Sequence, residues 1–158
     1  MDKILIVSDT HGDIETLEKV LRKEKKFNYL FHLGDHHNDI DDVDFDLTNV
    51  EIKKVRGNCD FMKETEEIFF ELNGKKIFMT HGHLYGVKNS YSSIFYKACE
   101  IGADIVLFGH THEKLNINMS GVHLFNPGTL SMRGYGKRSY GIMEIDEKGN
   151  YKITHKYI

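Results

Sequence analysis

The chain has no tryptophan, one proline and two cysteines in 158 residues. Cys59 and Cys99 lie far apart and form no C-x-x-C pair, which argues against a disulfide framework and against a thiolate zinc site. Free thiols of this kind suit a reducing, cytoplasmic compartment. No apolar run approaches the length of a membrane span. The first run, Ile4 to Val7, is far too short for the core of a secretion signal. The expectation is a cytoplasmic protein with no membrane partner. A basic surplus is also missing: 21 Lys and Arg stand against 24 Asp and Glu, for a net charge of −3. No extended nucleic acid is therefore expected as a partner. A phosphate-bearing small molecule stays open, because a bound metal can dominate the local charge. Internal repeats and low-complexity linkers are absent. Residues 1–158 are expected to form one domain with a substantial core.

What the chain does have is histidine, ten of them, placed mostly after short apolar runs. Lys3 to Ser8 reads as a buried strand, and Asp9-Thr10-His11-Gly12-Asp13 as a loop. Asp13 caps a helix with Ile14, Leu17, Val20 and Leu21 on one face. Tyr29 to Leu33 is the second strand and ends in Gly34-Asp35. This is a βαβ unit, whose parallel strands end on the same side. His37 to Thr48 reads as a short helix and loop, and Glu51 to Val55 as a third strand ending at Arg56-Gly57-Asn58-Cys59-Asp60. Asn73-Gly74 between Glu67 to Leu72 and Lys75 to Met79 is a hairpin signal. Ser90 to Ile101 has helical spacing. Asp104 to Phe108 is a strand ending in Gly109-His110-Thr111-His112. The last four runs, from Leu115, Val122, Tyr140 and Tyr151, read as an antiparallel meander. The order predicts two sheets with flanking helices.

Each strand end in the first two thirds carries a metal-capable group: Asp9 and His11, Asp35, Asn58, His81, then His110 and His112. Alone, each has an ordinary explanation. Asp-x-His is most often a surface or capping pair, Gly-Asp a turn, and a lone His a hydrogen-bonded one. As a set at successive strand ends they point to chemistry. All are oxygen or imidazole donors, which suits manganese, iron, cobalt, nickel or zinc better than calcium. Seven donors exceed one ion, but with one shared carboxylate they make two sites of four, as in two-metal hydrolases. In Asp9-Thr10-His11 and His110-Thr111-His112, alternation along an extended segment would turn both donors to one side, to share one pocket or to reach two adjacent ions.

These motifs, together with Asn126-Pro127-Gly128-Thr129, resemble the ordered motifs of calcineurin-like metallophosphoesterases over nearly the whole chain. The likeness is greatest to the small, single-domain bacterial and archaeal phosphodiesterase branch. It implies an α/β fold, a four-layer αββα sandwich of two mixed sheets flanked by helices, with a dinuclear site at one edge. It further implies that Asp9, His11, Asp35 and His112 hold one ion, and that Asp35, Asn58, His81 and His110 hold the other. Many members carry His after the motif Asn, where it serves the leaving group. Here Cys59 stands, as in the small branch. A thiol is a poor substitute for an imidazolium, which favours diesters or activated monoesters.

The resulting expectation is hydrolysis of small phosphodiesters by in-line attack of a hydroxide bridging two divalent ions, manganese first. Asp35, Asn58, Cys59 and His81 are the catalytic candidates. His36, His83 and Arg133 are the candidate substrate contacts. Arg133, Lys137 and Arg138 otherwise read as a solvated loop, in reach of a second phosphate. His32 and His123 read as structural and His155 as a surface residue. Asp60 reads equally as an orienting group or a turn residue. Tyr85, Tyr91, Phe95 and Tyr96 suggest core packing or a homo-oligomeric interface. The rival readings are a retromer-type protein-binding scaffold of the same fold, a phosphomonoesterase and a nuclease.

Overall fold

The computed structural model describes residues 1–61, 63–132 and 136–158; among these, ten strands and two α-helices form. β1 (Asp2–Val7), α1 (Ile14–Glu24) and β2 (Tyr29–His32) make the expected βαβ unit. The two strands are parallel, with Val7 opposite His32. α1 starts where the Asp13 carboxylate accepts the Thr16 N–H at 3.1 Å. It buries Leu17, Val20 and Leu21 and ends in Arg22 and Lys23, which suit the helix dipole. β3 (Glu51–Lys54) adds parallel to β2. β4 (Glu67–Leu72) and β5 (Lys75–Thr80) form the expected hairpin. Its tip residues, Asn73 and Gly74, have φ of 48° and 82°, as a type I′ turn requires. α2 (Ser92–Ile101) then leads to β6 (Ile105–Leu107), which lies parallel to β5.

The last four strands do not form a meander. β7 (Lys114–Met119) and β8 (Val122–Pro127) join one sheet; β9 (Ser139–Ile145) and β10 (Tyr151–Tyr157) join the other. The sheet orders are β10-β9-β1-β2-β3 and β4-β5-β6-β8-β7. Burial explains the split. β8 and β9 are buried on nearly every residue, so both faces need cover and both edges need partners. β8 finds them in β6 (parallel) and β7, and β9 in β1 and β10.

Ile4, Ile6, Phe31, Leu33, Ile77, Met79, Leu107, Phe125 and Met143 fill the space between the sheets. α1 covers the outer face of the first sheet through Leu17, Val20 and Leu21 against Leu5, Val7 and Leu30. α2 covers the second through Ile94 and Ala98 against Phe78, Val106 and Leu124. The architecture is the expected αββα sandwich of two mixed sheets.

Two histidines tie the sheets together. His123 on β8 contacts the Tyr151 hydroxyl of β10 at 3.0 Å and Asn116 Oδ1 at 2.6 Å, a structural role as expected. His155 is not the surface residue expected. It stacks on Phe125 at 4.6 Å, and its Nε2–H donates to the Asn126 carbonyl at 2.7 Å. The alternation of β10 turns it toward the other sheet. Tyr85, Tyr91 and Phe95 pack on the α2 cluster, and Tyr96 is 68 % exposed. Among the described residues no helix is long and apolar enough to cross a membrane.

Candidate metal centre

The parallel pairing of β1 with β2 and of β5 with β6 brings four strand ends to one edge. Backbone bonds stitch them: Asp9 N–H to Gly34 O at 3.0 Å, and Gly109 N–H to His81 O at 3.0 Å. The approach leaves no room for side chains. A Cβ on Gly57 would stand 2.6 Å from the Asp35 backbone nitrogen, and closer still to its carboxylate. A Cβ on Gly109 would stand 2.7 Å from Asp9 Oδ2, and closer still to Ser8 Oγ.

The donor segments are not extended, contrary to the alternation argument. Asp9, His11, Asp35, His110 and His112 all have φ between 45° and 70°, in the left-handed region. Such conformations are rare for side-chain-bearing residues and mark positions that their surroundings over-determine. Convergence therefore comes from sharp turns. Asp9 and His11 turn to one group, while His110 and His112 part company.

The donor atoms of Asp9, His11, Asp35 and His112 lie within 4.8 Å of one another. The Asp9 side chain is fully buried. Its Oδ2 accepts from Ser8 Oγ at 2.5 Å and from the His110 N–H at 3.1 Å. Its Oδ1 has no hydrogen bond among the described residues, yet faces the Nε2 atoms of His112 at 3.1 Å, His11 at 3.8 Å and His81 at 3.9 Å. A buried carboxylate oxygen among imidazole nitrogens needs a cation.

A second group comprises Asp35, His81 and His110. The His81 Nδ1–H donates to Leu33 O at 2.7 Å, so Nε2 turns into the site. A carbonyl behind the ring is the usual way to orient a ligating histidine. Nε2 lies 3.0 Å from Asn58 Oδ1 and 3.4 Å from Asp35 Oδ2. These are acceptor oxygens, so either a proton or a metal must sit on that nitrogen. Burial alone would lower the His81 pKa, but Asp35 and Asp9 outweigh it and push it up. Burial likewise raises the Asp35 carboxyl. The hydrogen bond and charge of His81, the Cys59 N–H and His11 reverse this and hold it well below the usual carboxylate range. Burial, followed by the charges of His81 and Lys88, pushes His110 down to about 4, so its ring is neutral at pH 7. The donor set fits divalent cations: acceptor oxygens and imidazole lone pairs, with no thiolate needed.

Asp60 is an orienting group, which the chain alone left undecided. Its Oδ2 accepts the N–H groups of Asp35 and Gly57, both at 2.8 Å. Its Oδ1 accepts those of His36 at 2.7 Å and His37 at 3.3 Å. One carboxylate thus holds two strand-end loops. Asp39, within the stretch read only as a short helix and loop, accepts the Gly12 N–H at 2.8 Å. Asn126 Nδ2 donates to Gly109 O and Thr111 Oγ1, both at 3.0 Å, and Thr129 Oγ1 donates to Asp9 O at 2.8 Å. The Asn-Pro-Gly-Thr run was visible; its function as a brace for the other loops was not.

Asn58 is exposed at the mouth, and Cys59 beside it is half-buried. Burial, and then Asp35, push the Cys59 thiol up, so it keeps its proton at neutral pH. His36 tilts against His11 at 5.3 Å between centroids, with a side chain 42 % exposed. His83 lies against His81 at 5.4 Å and His110 at 6.1 Å. Both therefore border the site. Arg133 lies outside the described residues. Arg138 does not face the site as a free cation: its Nη1 bonds Thr16 Oγ1 at 2.8 Å and lies 3.5 Å from Asp13.

Comparison with known proteins agrees with this geometry. The family model described as the calcineurin-like phosphoesterase superfamily domain matches residues 2–148. The probable metallophosphoesterase YsnB of Bacillus subtilis is 32% identical over 146 residues, covering 90% of this chain and 84% of that protein. The phosphodiesterase MJ0936 of Methanocaldococcus jannaschii is 27% identical over 170 residues, covering 96% and 98%. Among solved structures, a predicted phosphoesterase from Streptococcus pneumoniae superposes with a TM-score of 0.79 at 30% identity, covering 99% of this chain and 89% of the other. A Vps29 single mutant from Entamoeba histolytica superposes at 0.76 with 19% identity and 99% coverage of both, a likeness of fold alone. The chain belongs to the calcineurin-like phosphoesterase superfamily, and that membership with its oxygen and imidazole donors makes it a metal-dependent phosphoesterase.

Proposed function

We propose that the chain is one metallophosphoesterase domain that hydrolyses small phosphodiesters at a pair of divalent ions, manganese first among them. Asp9, His11, Asp35 and His112 hold one ion; Asp35, Asn58, His81 and His110 hold the other. The observation that carries this reading is the position of the Asp35 carboxylate between the two groups. Its Oδ2 lies 3.6 Å from His11 Nε2 on one side and 3.4 Å from His81 Nε2 on the other. When bound, such ions acidify a water and neutralise phosphoryl oxygens.

The protein's own groups supply the geometry. Leu33 O and Asp60 keep His81 and Asp35 aimed inward. Asn58, exposed at the mouth, meets the arriving ester. In the reaction a new P–O bond to water forms and the P–O bond to one alcohol breaks, leaving an alkoxide that needs a proton. Cys59 holds a proton but releases it reluctantly. That favours diesters with acidic alcohols over ordinary monoesters, in keeping with the name of the archaeal relative. The same raised pKa speaks against Cys59 as a covalent nucleophile. The free thiols suit a cytoplasmic location. All seven donor positions are filled in this chain, which favours the enzyme over the scaffold reading.

The test is manganese-dependent hydrolysis of bis-p-nitrophenyl phosphate together with metal analysis. Wild-type protein should carry about two ions per chain, and Asp35→Asn should lose metal and about 100-fold or more in turnover. Retention of both ions and full turnover in the variant would overturn the shared assignment. No turnover with manganese, nickel, cobalt or zinc would favour the scaffold.

A further inference from the structure

The metal centre continues into a second concavity. A cavity of about 590 Å³ is lined by His112, Glu113, Lys114, Gly136, Lys137 and Tyr157. His112 belongs to both: its Nε2 lies 3.1 Å from Asp9 Oδ1, while its side chain is 23 % exposed. Lys114 follows two residues later and opens β7. The cavity is therefore the metal centre's immediate neighbour on the β7 side. Its size suits the half of a substrate that does not react.

Its charge is unlike that of the whole protein. Lys114 Nζ donates to the Tyr157 hydroxyl at 2.5 Å and lies 4.8 Å from the ring centroid. Lys137 Nζ lies 5.9 Å from the same ring. Two ammonium groups thus gather around one phenol. Among the described residues neither has a carboxylate within ion-pair distance, whereas Arg138 next door is engaged by Asp13. Glu113 is the one acid in the lining, so cations outnumber it in a chain of net charge −3. Like charges converging beside a catalytic centre repel one another, and an anion between them removes that cost.

We propose that this cavity is a second anion subsite, in which Lys114 and Lys137 hold a phosphate on the far half of the substrate while the scissile diester occupies the metal centre. The assignment rests on the dinuclear reading for its orientation. It names the substrate class as diesters that carry a further phosphate, such as a nucleoside phosphorylated at a second position. Tyr157 fixes the Lys114 ammonium and offers the sugar or base an aromatic edge.

The experiment compares two chromogenic diesters that differ only in the distal group. One is the p-nitrophenyl ester of thymidine 5′-phosphate; the other is the same ester with a 3′-phosphate. In parallel, calorimetry on manganese-loaded protein compares binding of thymidine 5′-phosphate and thymidine 3′,5′-bisphosphate. The subsite predicts about tenfold preference for the 3′-phosphorylated member in both assays, expressed in KM rather than kcat. The double variant Lys114→Gln/Lys137→Gln should erase the preference and leave bis-p-nitrophenyl phosphate hydrolysis unchanged. Equal affinity in the wild type, or a preference kept by the double variant, overturns the subsite. If neither ester is cleaved but the binding preference exists and the variant removes it, the subsite stands and the diesterase reading falls. If the simple diester is cleaved without any preference, the reverse holds.

Discussion

Asn73 and Ser120 sit at hairpin tips with φ of 48° and 47°, each followed by a glycine. Asp9, Asp35 and His110 sit at strand ends with φ of 55°, 61° and 70°. The backbone state is the same, and the surroundings are opposite. At the tips, a Cβ on Gly74 or Gly121 would meet nothing within 4 Å. There the left-handed turn matches the twist of the flanking strands and supports itself. At the strand ends the conformation costs about 1–2 kcal/mol per residue. It persists because the neighbours leave no alternative: Asp60 takes the Asp35 N–H, Gly34 O takes the Asp9 N–H, and Asp9 Oδ2 takes the His110 N–H. A strained residue that many groups hold in place is held for where its side chain points. A strained residue at an open tip is only turning the chain.

That contrast can be broken by experiment. Gly57→Ala should have the largest effect, because its new methyl collides with Asp35. We expect loss of metal and about 100-fold or more in activity, read by elemental analysis and diester hydrolysis. Unchanged metal content in this variant would show that the crowding is not essential. Asp60→Asn comes next. One acceptor oxygen becomes an amide facing two N–H donors, and we expect about 3 kcal/mol loss of unfolding free energy in urea, with weakened metal binding.

His32 gives a pH test of the support beneath the loops. It is fully buried, accepts the Gly34 N–H at 3.1 Å and contacts Thr10 Oγ1 at 3.0 Å. Burial, with the charges of His37 and His81, pushes it down to about 3 against the pull of Asp60. The unfolded chain takes up this proton near pH 6.5. The folded chain resists until much lower pH. Its contribution is therefore fully present above about pH 6.5 and falls by up to about 1.4 kcal/mol per pH unit as the pH drops below that value. His32→Gln should flatten that slope in urea midpoints measured from pH 7 to pH 4. The smallest effect belongs to the tips. Gly121→Ala, at φ 87°, should cost about 1 kcal/mol of stability and leave activity untouched.

Much of the site was legible because metal donors announce themselves by residue type. The βαβ opening and the Asn73-Gly74 hairpin were legible too, since period and turn chemistry are local. The last four strands were misread because β7–β8 and β9–β10 are each hairpins, and nothing local says that their partners lie in different sheets. His155 was misread because its stacking on Phe125 depends on β8, whose Asn126 carbonyl it bonds from 29 residues away. Asp60 was undecided because an aspartate in a turn looks the same whether it accepts one N–H or four.

Which donors exist, and that they follow buried strands, is written in the chain, because both are properties of residue type and local period. It also showed Cys59 where an imidazole is common. The backbone geometry that brings those donors together came from folding. It bent Asp9, His11, Asp35, His110 and His112 into left-handed turns and set Lys114 and Lys137 around Tyr157. Those outcomes depend on contacts between segments far apart in the chain. Packing and paired backbone groups settle them, and no local pattern encodes them.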